Sequence, residues 1–432
     1  MDAVESGTRR ARGAAVGWVI VALAVAWVLI GTRPERSYGD TLFSRLATVY
    51  SLTEYGRWAI ADPEIGLVNP FEPRTIDKVE VDGRILSSKP PLLPLLMLSE
   101  LLVLSPATGW LLDNPSDPRW AAWILAVSWS GIPFVILTLC LWLIGRRLLP
   151  NRAAAPAFIA IAAAAGTQAT AYATVFNNHV IAAAGVVACF YFALRLHENG
   201  KWADAVVFGL SAGVCTTMDI PTAIYPALLG LWLAPSQFRA LLIFAAPAAA
   251  LPIAIQTIAL IAATGSPLPV QMHGDWYLYE SSYWRNPGGV DALADPKGLY
   301  LFNITFGRVG LFSLFPVTLL GLLGIAAAWQ SRDTRIKPLT AIGAAASSIL
   351  FLYYALTTNN YGGEAFGFRW SIAVAPVLLL MAIPAMARVQ RPWQWAAVTV
   401  LLAVSMISAI QCTRHPWQTN TEWTTRVFGK SL

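Results

Sequence analysis

Apolar residues in this chain come in long blocks, at 14–30, 120–144, 153–172, 180–196, 203–218, 221–235, 239–263, 310–329, 338–357, 370–387 and 395–411. A helix needs about 20 such residues to cross the hydrocarbon core of a bilayer. The blocks therefore predict eleven membrane-spanning helices. One further apolar stretch, 91–106, is ambiguous. If it spans, the basic loops that follow face outward. If it lies along the outer surface, the short basic loops all fall on one side: Arg9, Arg10 and Arg12; Arg146, Arg147 and Arg152; Arg195 and Lys201; Arg239; Arg332, Arg335 and Lys337; Arg388 and Arg391. The excess of Lys and Arg in cytoplasmic loops selects the second arrangement. It puts the N-terminus inside, the C-terminus outside and makes 91–106 a non-spanning helix, interfacial or re-entrant.

Composition agrees with a polytopic α-helical membrane protein, with 56% hydrophobic residues, 12% charged residues and a mean hydropathy of +0.56 over 432 residues. The net charge of +6 sits at helix ends and forms no basic cluster interleaved with aromatics, so nucleic acid is not an expected partner. Cys140, Cys189, Cys215 and Cys412 are far apart and show no metal spacing. After the first block comes Gly31-Thr32-Arg33-Pro34, a poor match to a signal-peptide cleavage site, so the first span is expected to stay uncleaved.

With this topology most carboxylates face out, and the outer side carries long polar regions at 32–119, 264–309 and 358–369. Loops of that length in a compact protein usually serve function. The whole chain, 1–432, reads as one integral membrane domain. Its 32–119 loop is the expected catalytic element and 264–309 a second large outer loop. From Thr41 to Trp58, Leu42, Leu46, Val49, Tyr50 and Thr53 share one helical face and Ser44, Arg45, Thr48, Ser51 and Glu54 the other, a pattern for a helix lying in the headgroup plane. Asp40 stands where a helix cap is expected. Asp82-Gly83 between Thr75–Val81 and Arg84–Ser87 predicts a β-hairpin. Lys89-Pro90-Pro91 then leads into the interfacial helix, the prolines fixing the backbone beside Lys89.

Asp40, Arg45, Gly56-Arg57-Trp58 and Ser88-Lys89-Pro90-Pro91-Leu92 together resemble the first outer loop of C-type membrane glycosyltransferases. The aminoarabinose (lipid A) transferase branch is the more similar, the protein O-mannosyltransferase branch the more distant. The resemblance runs through the first 200 residues, with a weaker match from Tyr361-Gly362-Gly363 to Gly367-Phe368-Arg369. Two positions depart from the family pattern. Thr41 stands where a second acidic residue is frequent, and Phe176-Asn177-Asn178-His179 where an aspartate is frequent. The resemblance implies transfer of a sugar from a polyprenyl-phosphate donor. It leaves open whether a divalent metal assists.

Each candidate residue also has a plain structural role. For Asp40 it is a helix cap; in a transfer it would be the general base that takes the acceptor's hydroxyl proton. For Lys89 and Arg45 it is lipid-headgroup contact; in a transfer they hold the donor phosphate as it leaves. Asn177, Asn178 and His179, three polar residues at a span end, satisfy the backbone or position substrate. Asp219 in Met218-Asp219-Ile220-Pro221 is a turn residue or a pocket wall. Arg308, Glu364 and Arg369, candidates for substrate binding, lie where outer loops meet spans; Arg369 pairs with a phosphate or with Glu364, the pair being the expected structural role. The stretch from His273 through Asp275, Trp276, Tyr277, Tyr279, Tyr283 and Trp284 to Arg285 is an interfacial aromatic belt or a sugar site.

The function expected is a glycosyltransferase of the plasma (inner) membrane, acting on the outer or periplasmic face. Its partners would be membrane lipids, the lipid-linked donor and a lipid, glycan or protein acceptor. The alternative is a transporter or lipid flippase, which calls for mid-span charges and repeated halves. Here the ionisable residues gather at outer span ends, and no internal repeat is apparent.

Overall fold

The structure is a computed structural model that describes residues 2–418. The tail beyond Gln418 and the side chains of Arg9, Arg10 and Arg12 lie outside the described residues. The described chain is mostly helical with one two-stranded sheet. Helix α1 is Asp2–Gly31, α2 Asp40–Glu54, and strands β1 (Lys78–Val81) and β2 (Arg84–Ser87) precede α3, Leu92–Thr108. Helix α4, Arg119–Leu148, carries a π-turn at Val127–Gly131. Then come α5 (Ala154–Ala165), α6 (Gln168–Tyr172), α7 (His179–Asn199), α8 (Trp202–Met218), α9 (Ile224–Ala240) and α10 (Ala246–Thr264). The second half holds α11 (Lys297–Thr305), α12 (Leu311–Leu314), α13 (Leu319–Trp329), α14 (Ile336–Thr357), α15 (Val374–Met386) and α16 (Pro392–Arg414).

Among the described residues, five helical stretches are long and apolar enough to cross a membrane: Arg119–Leu148, His179–Asn199, Ile220–Thr264, Ile336–Thr357 and Pro392–Arg414. Six more apolar stretches of 10–17 described residues accompany them, so this is an integral membrane protein, with helix boundaries that differ from the expected blocks. The differences have local causes. The expected 153–172 span breaks at Gly166-Thr167, where the Thr167 and Thr170 side chains cap a new helix reciprocally. The spans expected at 221–235 and 239–263 join without a loop, and only a kink at Gln237 (φ −128°, ψ 20°) separates them. Beyond it, α10 lies along α8, where Gly209 and Gly213 bring the backbones together; a Cβ at either would strike the carbonyl oxygen of Ala245 or Ala249.

Helices α7 and α15 are buried on nearly all sides. At the far end of α7 from His179, Glu198 pairs with Arg147 (2.5 Å) and Arg335, Arg335 with Asp333 (2.6 Å), and Arg195 with Asp204 (2.8 Å). Arg147, Arg195 and Arg335, three of the basic residues expected on the inner side, thus pair with carboxylates near this end of α7.

The 32–119 loop folds as helix, hairpin, helix. Asp82 (φ 51°) and Gly83 (φ 74°) make the left-handed turn that pairs Val81 with Arg84 and Lys78 with Ser87. The amphipathic helix expected at 41–58 is covered by protein on both faces. In α2, Leu42, Leu46 and Val49 pack with Met97 and Leu101 of α3 and Leu125 of α4, while Ser44, Arg45, Thr48 and Ser51 of the polar face are buried too. The polar face is covered by the hairpin and by the loop's own backbone. Ser44 Oγ donates to Asp77 O (2.7 Å), and Asn69 Nδ2 donates to Ser51 Oγ (2.9 Å).

In the 358–369 loop, Gly362, Gly363 and Gly367 take φ of 99°, 72° and 70°. A Cβ on Gly367 would also meet the Gln168 side-chain amide. Gly367→Ala is expected to destabilise the protein by about 1–3 kcal/mol, from the left-handed backbone and the clash together. Thermal unfolding of the purified variant checks this, and a midpoint equal to the parent's would refute it.

Candidate active-site cavity

Asp40 is the first residue of α2, with Gly39 rather than Asp40 in the capping position. Its carboxylate is spent on the next layer of the loop: Ile76 N–H donates to Oδ1 at 2.6 Å. Oδ2 has no hydrogen-bond partner among the described residues. Burial raises the Asp40 pKa above the ordinary carboxylate value, the Ile76 N–H opposes this, and the neighbouring Asp77 adds to it.

Asp77 is the residue that sequence reasoning passed over. The hairpin register continues one step below Lys78–Ser87, so Asp77 faces Ser88, whose N–H donates to Asp77 O (3.0 Å). That step sets the Asp77 carboxylate against Lys89, with Nζ–Oδ2 at 2.7 Å. Extending the pairing outward from the Asp82-Gly83 turn would have found it. Lys89 therefore carries a carboxylate partner instead of standing free at the interface. Burial lowers its pKa and Asp77 works against that shift.

Arg45, one turn into α2, is 2% exposed. It donates to Thr41 O (2.9 Å) and Asn178 Oδ1 (3.1 Å), lies over the Phe176 ring, and leaves Nε without a partner. Burial draws its pKa down to about 10, with Asp77 raising it and Arg369 lowering it further. Arg369 enters from the other end of the chain, just after Gly367-Phe368. Among the described residues its guanidinium makes no hydrogen bond and no ion pair. Glu364, its expected partner, is exposed and unpaired with it. The tight loop explains this correction: Asn360 Oδ1 takes the N–H groups of Gly362 (2.7 Å) and Gly363 (2.6 Å), turning Glu364 away.

Asp40, Arg45, Asp77, Lys89, Asn178, His179, Asp219, Glu364 and Arg369 all line one cavity of 1270 Å³. His179 Nδ1 and Asp219 Oδ2 are 3.0 Å apart, and Asn178 Nδ2 donates to Met218 O (2.7 Å), so the start of α7 is tied to the end of α8. The large second loop forms another wall. Tyr277, Tyr283 and Trp284 face the cavity, and Trp284 Nε1 donates to Ile76 O (3.0 Å) beside Asp40. His273 and Trp276 stack on each other at 3.7 Å away from the cavity lining. Tyr353, Tyr354, Asn360 and Trp417 also contribute, and none of the four was a candidate from sequence.

Asp275, Tyr279 and Arg285 are also outside the lining, as are Asn177 and Arg308. Asn177 is 1% exposed and bonded to its own turn, with Nδ2 donating to Tyr172 O (2.7 Å) and Val175 O (2.9 Å) and Oδ1 accepting from Val180 N (3.0 Å). It caps the turn into α7, so its polarity is explained by backbone satisfaction. Arg308 pairs with Asp295 (3.4 Å), which also accepts from Tyr361 Oη (2.5 Å), and this polar group sits outside the cavity lining.

No three His, Cys, Asp or Glu side chains converge among the described residues. Asp77 is committed to Lys89, Asp219 to His179 and one oxygen of Asp40 to Ile76. This donor set does not fit a divalent cation, and no step below is routed through one.

The cavity can thus hold an anion against two guanidinium groups that have no carboxylate partner among the described residues and an ammonium shared with Asp77, beside a carboxylate with raised proton affinity. No protein-family model and no curated protein matches the chain. Solved structures do. The chain is similar to ArnT from Cupriavidus metallidurans in the apo state, with a TM-score of 0.53 and 15% identity over 90% of this chain and 62% of that one. It is also similar to ArnT from the same organism bound to undecaprenyl phosphate (0.51, 15%, 90% and 63%). A third likeness is to the apo oligosaccharyltransferase of Archaeoglobus fulgidus (0.51, 16%, 95% and 57%). These are C-type glycosyltransferases, and the chain shares their fold while spanning less than two thirds of their length.

Proposed function

We propose that this chain is a membrane glycosyltransferase that moves a sugar from a polyprenyl-phosphate donor to a hydroxyl acceptor on the outer face of the plasma membrane. The observation that carries this reading is the meeting of Arg45 and Arg369, both without a carboxylate partner among the described residues, with Asp40 in one large cavity. The fold shared with ArnT, a protein solved with undecaprenyl phosphate bound, supports a lipid phosphate as the anion.

The transfer is a direct displacement. Asp40 Oδ2 takes the proton from the acceptor hydroxyl, and the acceptor oxygen forms a bond to the anomeric carbon. The bond from that carbon to the phosphate oxygen breaks, and the polyprenyl phosphate leaves with the electron pair. Arg45 and Arg369 hold the charge that develops on it, and Lys89, shared with Asp77, adds a third cation. Arg45 is pre-set by Thr41 O and Asn178, so no reorganisation is needed when the charge appears. His179 and Asp219 complete the wall on the substrate side.

Purified protein incubated with a panel of polyprenyl-phosphate sugars and hydroxyl acceptors should release polyprenyl phosphate and form a glycoside. Lipid movement between leaflets with no glycoside formed would favour the flippase alternative.

The topology is part of the same proposal. A reporter fused after Pro115 is expected outside the membrane, because α3 then lies in the outer interface beside α2. A cytoplasmic reporter signal at that position would overturn the outer-face assignment.

A further inference from the structure

Arg369 has one companion among the described residues. Its guanidinium carbon lies 5.6 Å from the centroid of the Trp417 ring, while Nε is buried without a hydrogen-bond partner. Trp417 comes just after α16, on a short segment tied to distant parts of the chain. Pro416 O accepts from Tyr172 Oη (2.8 Å) and from Phe366 N (2.9 Å). Trp417 Nε1 donates to Arg36 O (2.5 Å), and Arg36 Nη1 donates to Thr413 O (2.9 Å). The Tyr172 ring meets the indole edge-on at 5.6 Å. The indole is therefore fixed by its neighbours, and it lines the cavity.

We propose that Trp417 is the positioning residue for Arg369, holding the guanidinium by its ring face so that the N–H groups stay free for the donor phosphate. This rests on the donor reading above. A carboxylate partner would hold the arginine equally well but would neutralise it and occupy the N–H groups. An aromatic face attracts the cation and leaves its donors available. Asn360 and the glycines shape the loop that delivers Arg369 but make no bond to its side chain. Among the described residues, that leaves the indole as the group that sets its direction.

The test uses undecaprenyl phosphate in detergent micelles, titrated calorimetrically into the full-length purified protein. Trp417→Leu should weaken binding about tenfold, the size of one partly desolvated cation–π contact. Trp417→Phe, which keeps a ring face but loses the N–H bond to Arg36 O, should stay within about threefold of the parent. In an Arg369→Met background, Trp417→Leu should cause no further loss. The two bonds to Pro416 O do not involve the indole, so the segment keeps its place in each variant. Parent-like binding by Trp417→Leu overturns the proposal. So does a Trp417→Phe defect equal to that of Trp417→Leu, which would assign the effect to the Arg36 bond. An undiminished extra loss in the Arg369→Met background also overturns it, because the indole would then be touching the ligand itself. No binding by the parent protein overturns the donor reading and this proposal together, whereas the other failures leave the donor reading standing.

Discussion

Asp40→Asn should abolish sugar transfer, by roughly a hundredfold or more in rate, as expected for loss of a general base, while leaving the protein folded. The substitution keeps an oxygen that can accept the Ile76 N–H, so the contact that ties α2 to the loop survives. It also removes a charge that burial disfavours. The sign follows from the raised pKa: the folded state binds this proton more tightly than the unfolded chain does. Asp40 therefore adds stability at low pH, and that contribution is lost as pH rises through its folded-state pKa. At neutral pH the asparagine variant should unfold no earlier than the parent. The parent's rate should fall as pH drops through the raised Asp40 pKa, because protonation removes the base, and the residual rate of Asp40→Asn should lack that acidic limb. A near-parental rate in the variant, or the same acidic limb, would take the base role away from Asp40.

Arg369→Met should cost donor affinity with little effect on folding. The guanidinium makes no hydrogen bond among the described residues, so replacing it leaves no buried protein acceptor unsatisfied. Toward a phosphate, each charge-assisted hydrogen bond is worth about 1.5–3 kcal/mol, or roughly ten- to a hundredfold in affinity. Arg369→Lys should recover part of this, since the charge persists but the planar fork is lost. Arg45→Met should weaken the donor as well, but at a cost in stability, because Thr41 O and Asn178 Oδ1 lose their partner in a buried place. Donor binding measured beside thermal unfolding separates the two arginines. If Arg369→Met bound donor like the parent, the phosphate would have to be sought elsewhere in the cavity.

Residues that act with near neighbours were legible without coordinates. The Asp82-Gly83 turn, the helix after Asp40 and the lysine before Pro90-Pro91 follow from short-range backbone preferences. So does the tight glycine loop before Arg369. Apolar blocks marked the membrane helices because a bilayer accepts few other patterns. Asp77 was within reach by extending the hairpin register, and it was missed because a carboxylate next to a strand is ordinary on a solvated surface. Asn177 and Arg308 look like their cavity neighbours in sequence, since polarity at a helix end does not tell whether a side chain serves its own backbone or a ligand.

The sequence by itself determined that this is a helical membrane protein with a structured loop at 32–119 carrying Asp40, Arg45 and Lys89, because hydropathy and turn chemistry act over a few residues. Tertiary structure alone decided which charges are paired. Lys89 is paired with Asp77, Glu364 is turned away from Arg369, and Arg369 rests on Trp417. It also decided that α2 is covered by protein on both its apolar and its polar face. Pairing and burial depend on which distant segments share a cavity, and that is set by how the helices pack, a property of the whole chain that no local pattern encodes.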